Sequence, residues 1–289
     1  MFNDSEKGKI RESTVAGIFY PDNKEELEKE IDRLLRGPAA ECEGQTICAA
    51  RAIVAPHAGL GYSGDLAALA WRAAAPRSIE RVVVLSPLHR AEDSLVYLPE
   101  AESFSTPLGS IPVDRAVVDD LLDCGTGFSM NDIPHFEEHG VELQLPFMSR
   151  LYPHASLVPI LVGRSSHALV KSLASALGIV LEEIMESTLI VLSTDLSAGS
   201  DTSLISGMGD RLIELMNRKD WEGILEIKAK DAHAACGAAC IAAYLASPLA
   251  ASNEACVLGR HDSSQSRQTD QERLVEYAAI AFIENGAAQ

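Results

Sequence analysis

RAIVAPHAG (51–59), RVVVLSPLH (81–89) and STLIVLSTDLS (187–197) are three short apolar runs, rich in β-branched residues, that each give way to polar residues. That is the pattern of a strand buried on both faces and ending in a loop. Stretches with helical spacing alternate with them: DLAALAWRAAA (65–75), DRAVVDDLLDC (114–124) and HALVKSLASALGIVLEEIM (167–185). SLVYLP (94–99), ASLVPILVG (155–163), EACVLGR (254–260) and RLVEYAAIAFIEN (273–285) read as further strands, and helices are expected around 207–229 and 233–247. At the start, DNKEELEKEIDRLLRG (22–37) predicts an amphipathic helix capped by Asp22 or Asn23 and stopped by Gly37-Pro38, with 39–45 a loop. Strands alternating with helices predict an α/β fold, a central sheet flanked by helices. No repeat or long linker divides the chain, so one domain over 1–289 is expected, with the polar stretch 261–272 a mobile surface loop.

The chain has 289 residues, with 24 Lys and Arg against 42 Asp and Glu, a formal net charge of −18. A nucleic-acid binder needs a basic face, and anionic membranes attract basic segments, so neither partner is expected. No run reaches the roughly 18–20 apolar residues of a spanning helix. The start, MFNDSEKGKIRES, lacks the apolar centre of an export signal, which makes the cytoplasm the expected compartment. Six cysteines stand without a CxxC pair and are expected to be mostly reduced thiols.

The chemistry is expected where strands end. In open α/β sheets the carboxyl ends of strands form the ligand crevice, and here those ends carry His57, His89 and Asp195. Two imidazoles and a carboxylate suit a transition metal with open positions, although each taken alone is more often a satisfied loop residue. In PHAGLGYSG (56–64) three glycines suggest a tight loop approaching a ligand, but the spacing matches neither GxGxxG nor a phosphate loop. Ser63 lacks the GxSxG elbow of a serine hydrolase. HFEEHGVELQLPF (135–147), taken as helical from about residue 138, would set His139, Glu142, Leu143 and Phe147 on one face, an acid/base candidate or an exposed acidic face. DAHAACGAACIAAYLA (231–246) reads as a small-residue helix with Cys236 and Cys240 one turn apart, either buried thiols or, at Cys236, a thiolate ligand or nucleophile.

Together these motifs resemble the Memo family, whose bacterial and archaeal members are called AmmeMemoRadiSam system protein B. The resemblance is carried by AGIFYP (16–21), PHAGLGYSG (56–64), SPLH (86–89), STPLGSIPVD (105–114), EEHGVELQLPF (137–147), PILVG (159–163), STDLS (193–197), ACG (235–237) and VEYAAIAF (275–282), in order and spacing. It implies an α/β fold similar to the class III extradiol dioxygenases, with a central mixed sheet. It further implies a metal pocket of His57, His89 and Cys236, with His139 as acid/base and Asp195 beside the metal. Iron as Fe(II) is expected there, with copper or zinc as alternatives suited to a thiolate. Three positions depart from the family pattern. Ala198 stands where S[ST]DxxH has its histidine, Gly140 where EHS has serine, and Ser86 where GPSH has glycine. The implied function is a dioxygenase-like redox enzyme acting on a small molecule. The alternative is a non-catalytic metal- or peptide-binding component of a pathway with a radical-SAM partner protein.

Overall fold

The computed structural model describes residues 8–42, 44–47, 49–74, 78–266 and 273–284. Four strands form the parallel centre of a mixed sheet: β1 (Ala52–Ala55), β2 (Arg81–Pro87), β5 (Ser156–Val162) and β6 (Thr188–Ser193), in the spatial order β1-β6-β2-β5. Val191 lies opposite Val84, and Ile160 opposite Leu85. Val82 to Leu85 and Leu189 to Leu192 have no exposure at all, which explains why these strands read as unbroken apolar runs. Beyond β5 the sheet continues through β3 (Val96–Leu98), antiparallel, and β4 (Phe128–Met130). Beyond β1 it continues through β9 (Leu274–Glu284), antiparallel to β1, whose other partners are β7 (Ser197–Gly199) and the outermost strand β8 (Asn253–Asp262).

Helices cover the sheet as the alternation predicts. The helix α1 (Lys24–Leu35) is capped by the Asn23 side chain, and buries Leu27, Ile31 and Leu34 against α2 (Leu60–Ala74), which lies on β1 and β9. The helices α3 (Arg115–Asp123), α4 (Ile133–Glu137) and α5 (Leu145–Leu151) follow. The helix α6 (His167–Leu181) packs on α9 (Ala238–Ala246), which lies on β2 and β6, and α7 (Thr202–Asn217) and α8 (Trp221–Lys230) lie between them in sequence. Among the described residues no helix is long and apolar enough to cross a membrane.

Several local expectations are corrected. The helix after His57 begins at Leu60, five residues before the expected start, so Gly61 and Gly64 are helical and do not line a loop; a Cβ at Gly64 would sit 3.1 Å from Leu34 Cδ1, where α1 and α2 meet. Ser63 is buried in this helix and bonds back to the Ala58 carbonyl. Residues 138–141 are not helical: Glu138 is extended, Glu142–Gln144 forms a 3₁₀ turn, and Pro146 sits in the first turn of α5, where its missing N–H costs nothing. The helix after Cys236 starts only at Ala238, so Cys236 and Cys240 are not one helical turn apart. Within the expected loop 39–45, Glu41–Cys42 pairs with Gln45–Thr46 as a two-stranded ribbon, and Cys42 is disulfide-bonded to Cys256 of β8. Cys124, Cys236 and Cys240 are free, so the expectation of reduced thiols holds for these and fails for the pair. Of the polar stretch 261–272, the first two residues finish β8 and Ser263–Gln265 is a 3₁₀ turn; 267–272, like Cys48, lie outside the described residues.

Candidate metal centre

The parallel strands deliver the site. Three residues or fewer beyond the ends of β1, β2 and β6 stand His57, His89 and Asp195, and the loop before α9 brings Cys236 to the same place. That loop can approach β6 because residue 237 is glycine. Its N–H donates to Thr194 Oγ1 at 2.7 Å, and a Cβ there would lie 2.6 Å from Thr194 Cβ. Cys236 Sγ consequently lies 3.1 Å from the Asp195 N–H nitrogen, 3.2 Å from Thr194 Oγ1 and 3.2 Å from His57 Nε2.

His57, His89 and Cys236 each place one donor atom within 4.8 Å of the other two. Zinc–nitrogen and zinc–sulfur bonds of about 2.0–2.1 and 2.3 Å put neighbouring N and S donors roughly 3.2–3.6 Å apart. The 3.2 Å between His57 Nε2 and Cys236 Sγ already lies in that range. Two imidazoles and a thiolate are borderline-to-soft donors, fitted to iron(II), zinc or copper rather than magnesium.

The hydrogen bonds behind the rings fix which nitrogen faces the centre. Ser193 Oγ donates its one proton to the Gly140 carbonyl at 2.7 Å and accepts from Gln144 Nε2 at 3.0 Å. It can therefore only accept from His57 Nδ1, 3.0 Å away, which leaves Nε2 turned to the thiol. Gln144 is itself held by the indole N–H of buried Trp71, 3.0 Å from its Oε1. The Glu138 carboxylate, almost fully buried, accepts from His89 Nδ1 at 2.9 Å and from the backbone N–H groups of His89, His139 and Gly140 at 2.8, 2.8 and 3.1 Å. His139 Nδ1 lies 3.1 Å from the same carboxylate. A carboxylate behind a liganding imidazole orients the ring and raises its basicity.

The charges agree with this arrangement. Burial works against the Glu138 carboxylate, yet the hydrogen bond and charge of His89 bring its pKa down to about 2. Burial likewise opposes the Cys236 thiolate, but the positive charges and hydrogen bonds of His57 and His89 hold its pKa well below that of a free thiol. His139 differs: burial, followed by repulsion from His57, lowers it to about 4, so it is a neutral base at pH 7. Its ring stacks on His89 at 5.0 Å between centroids and on Phe19 at 5.1 Å. Asp195 accepts from the His57 backbone N–H at 3.1 Å, and burial raises its carboxyl to about 6.

The family model for Memo-like protein matches residues 11–281. The chain belongs to the Memo family. A MEMO1 family protein of Methanopyrus kandleri is 31% identical over 94% of this chain and 98% of its own length. Another from Nitrosopumilus maritimus is 26% identical over 95% and 100%, and one from Thermotoga neapolitana is 31% identical over 82% and 87%.

Within this Memo-family chain, His57, His89, Cys236, His139 and Asp195 all gather at one place. Glu142 does not join them. It is fully buried beneath the site, paired with Arg11, and accepts from Tyr20 Oη at 2.6 Å and from the Thr14 and Val15 N–H groups. The shared helical face with His139 fails because the chain is extended at Glu138. Glu138, Ser193 and Gln144, which hold the site's imidazoles by hydrogen bonds, are not among the residues expected from the sequence. Only Glu138 left a signal, a carboxylate directly before a candidate histidine.

Proposed function

We propose that this chain is a transition-metal protein in which His57 Nε2, His89 Nε2 and Cys236 Sγ hold an iron(II) ion, and that it acts as a dioxygenase-like redox enzyme on a small molecule. The observation that carries the proposal is the meeting of these three donors, from two strand ends and the loop before α9, with the far nitrogen of each imidazole already engaged. With three protein donors, positions stay open for oxygen and substrate, and the metal would supply the redox chemistry. The chain's own residues would do the rest. His139, neutral and within the ring cluster, would take a substrate proton at Nε2 while Glu138 steadies its Nδ1 side. Asp195 would hold the His57 backbone in place and face the substrate.

Elemental analysis of protein purified without chelator, beside His57→Ala and Cys236→Ala, tests the ligand set. One metal per wild-type chain and loss in both variants is expected; equal content in all three ends the proposal. After anaerobic loading with iron(II), oxygen uptake with a panel of catechols tests turnover. Metal bound with no uptake favours the non-catalytic binding role.

A further inference from the structure

A cavity of about 750 Å³ opens beside the metal ligands and shares His89, Asp195 and Cys236 with them. That volume is within the usual range for a small-molecule site. Arg164, Lys228 and Arg273 line it, and Asp195 is the one carboxylate residue among the described lining residues. Three cationic residues to one acid inverts the balance of a chain with 24 basic and 42 acidic residues. The general surface charge therefore does not account for it.

The basic wall is built on rigid backbone. Residue 163 follows β5, the fourth parallel strand, and a Cβ there would lie 2.7 Å from the carbonyl oxygens of both Asp93 and Leu95, so only glycine fits. Gly163 N–H donates to the Leu95 carbonyl at 2.8 Å and Arg164 N–H to the Asp93 carbonyl at 2.7 Å, which sets Arg164 at the cavity rim. The guanidinium has no hydrogen-bond or ion-pair partner among the described residues. Two residues on, Ser166 caps α6 and also lines the cavity. Across the cavity, Lys228 Nζ spends two donors on the Ala232 and Ala234 carbonyls, at 2.7 and 2.9 Å, and has a third to offer. Leu88, Val162, Leu225 and Val275 make the rest of the wall apolar.

We infer that this cavity takes a small molecule with an apolar body and an anionic end, a carboxylate or a phosphate, seated on Arg164 and Lys228 with its other end toward His89 and Cys236. The orientation rests on the metal-centre proposal; the anion site does not. A guanidinium without an ion-pair partner among the described residues and an ammonium with one N–H to spare bind either anion by charge-assisted hydrogen bonds. The position that the family pattern gives to histidine is here Ala198, which lines the same cavity with a small, uncharged side chain.

Calorimetric titration with phenyl phosphate, benzoate and uncharged benzyl alcohol tests this, on chelator-treated and on metal-loaded protein. Wild type should bind at least one of the two anions in both forms and benzyl alcohol far more weakly; the tighter anion identifies the headgroup. Arg164→Gln should weaken anion binding about tenfold to a hundredfold with melting temperature and metal content unchanged, and Arg164→Lys should recover most of it. Anions that bind no better than the alcohol, or an Arg164→Gln variant that binds them as wild type does, overturn the inference. Because the chelated form is measured separately, anion binding by a protein that takes up no metal on loading sinks the metal-centre proposal alone and leaves the anion site standing.

Discussion

A side chain at position 140 would run into Ser86: an ideal Cβ there lies 2.1 Å from Ser86 Oγ and 2.9 Å from His57 Nδ1. The family pattern carries serine at the first of these positions and glycine at the second, so the two departures from it are one exchange of volume between the end of β2 and the loop that faces it. Gly140→Ala should therefore destabilise by about 1–3 kcal/mol, the usual cost of overpacking, and displace His57. Adding Ser86→Gly should recover a large part of the loss. A double-mutant cycle of thermal unfolding measures this, and strict additivity would show the two sites are uncoupled. Glu138 gives a second prediction at the same scale. Glu138→Gln keeps the shape but weakens the acceptor of four N–H groups, and metal affinity should fall about 10- to 100-fold, read by competition with a chelator. His57, His89 and Asp195 were legible because each stands just beyond an apolar run, whereas Cys236 was singled out only by the resemblance to the family. Glu138 and Ser193 were not, because their role depends on where Nδ1 of each ring points.

Between elements, the buried pair of Arg11 and Glu142 ties the chain's beginning to the loop that carries His139. Arg11 is almost wholly buried in the short strand Ile10–Arg11, which pairs with Ser103–Thr106, and it also donates to the carbonyls of His135 and Glu138. Removing one partner strands a charge in the interior, so Glu142→Leu should cost about 3–5 kcal/mol. Arg11→Met combined with Glu142→Leu should cost less than that single change, as denaturant unfolding will show. Hydrophobic periodicity placed the central strands and the large helices nearly where they lie, because burial imposes those periods. It missed the strand at Ile10–Arg11 and the extended backbone at Glu138. The two are tied together by the Arg11 side chain, which donates to the His135 and Glu138 carbonyls more than 120 residues away, and such contacts leave no periodic trace.

For the molecule as a whole, pH tests how its buried groups are paid for. His135 is buried with neither ring nitrogen hydrogen-bonded among the described residues, and its ring meets Phe104 edge-on at 5.8 Å. Burial, with the charge of Arg11 adding to it, lowers its pKa to about 3. An unfolded histidine titrates near 6.5, so above that pH both states are neutral and folding carries no penalty. As the pH falls below about 6.5 the unfolded chain takes up a proton that the folded chain refuses, and stability declines until about pH 3. At pH 5 this one group should cost about 2 kcal/mol. His135→Met removes the titration while keeping an apolar filling beside Phe104. The stability difference between pH 7 and pH 5 should then shrink by about that amount, whatever the substitution does to stability at pH 7 itself. An unchanged pH dependence would mean that His135 is protonated in the folded chain, and that the neighbouring Asp132 and Glu138 carboxylates outweigh burial.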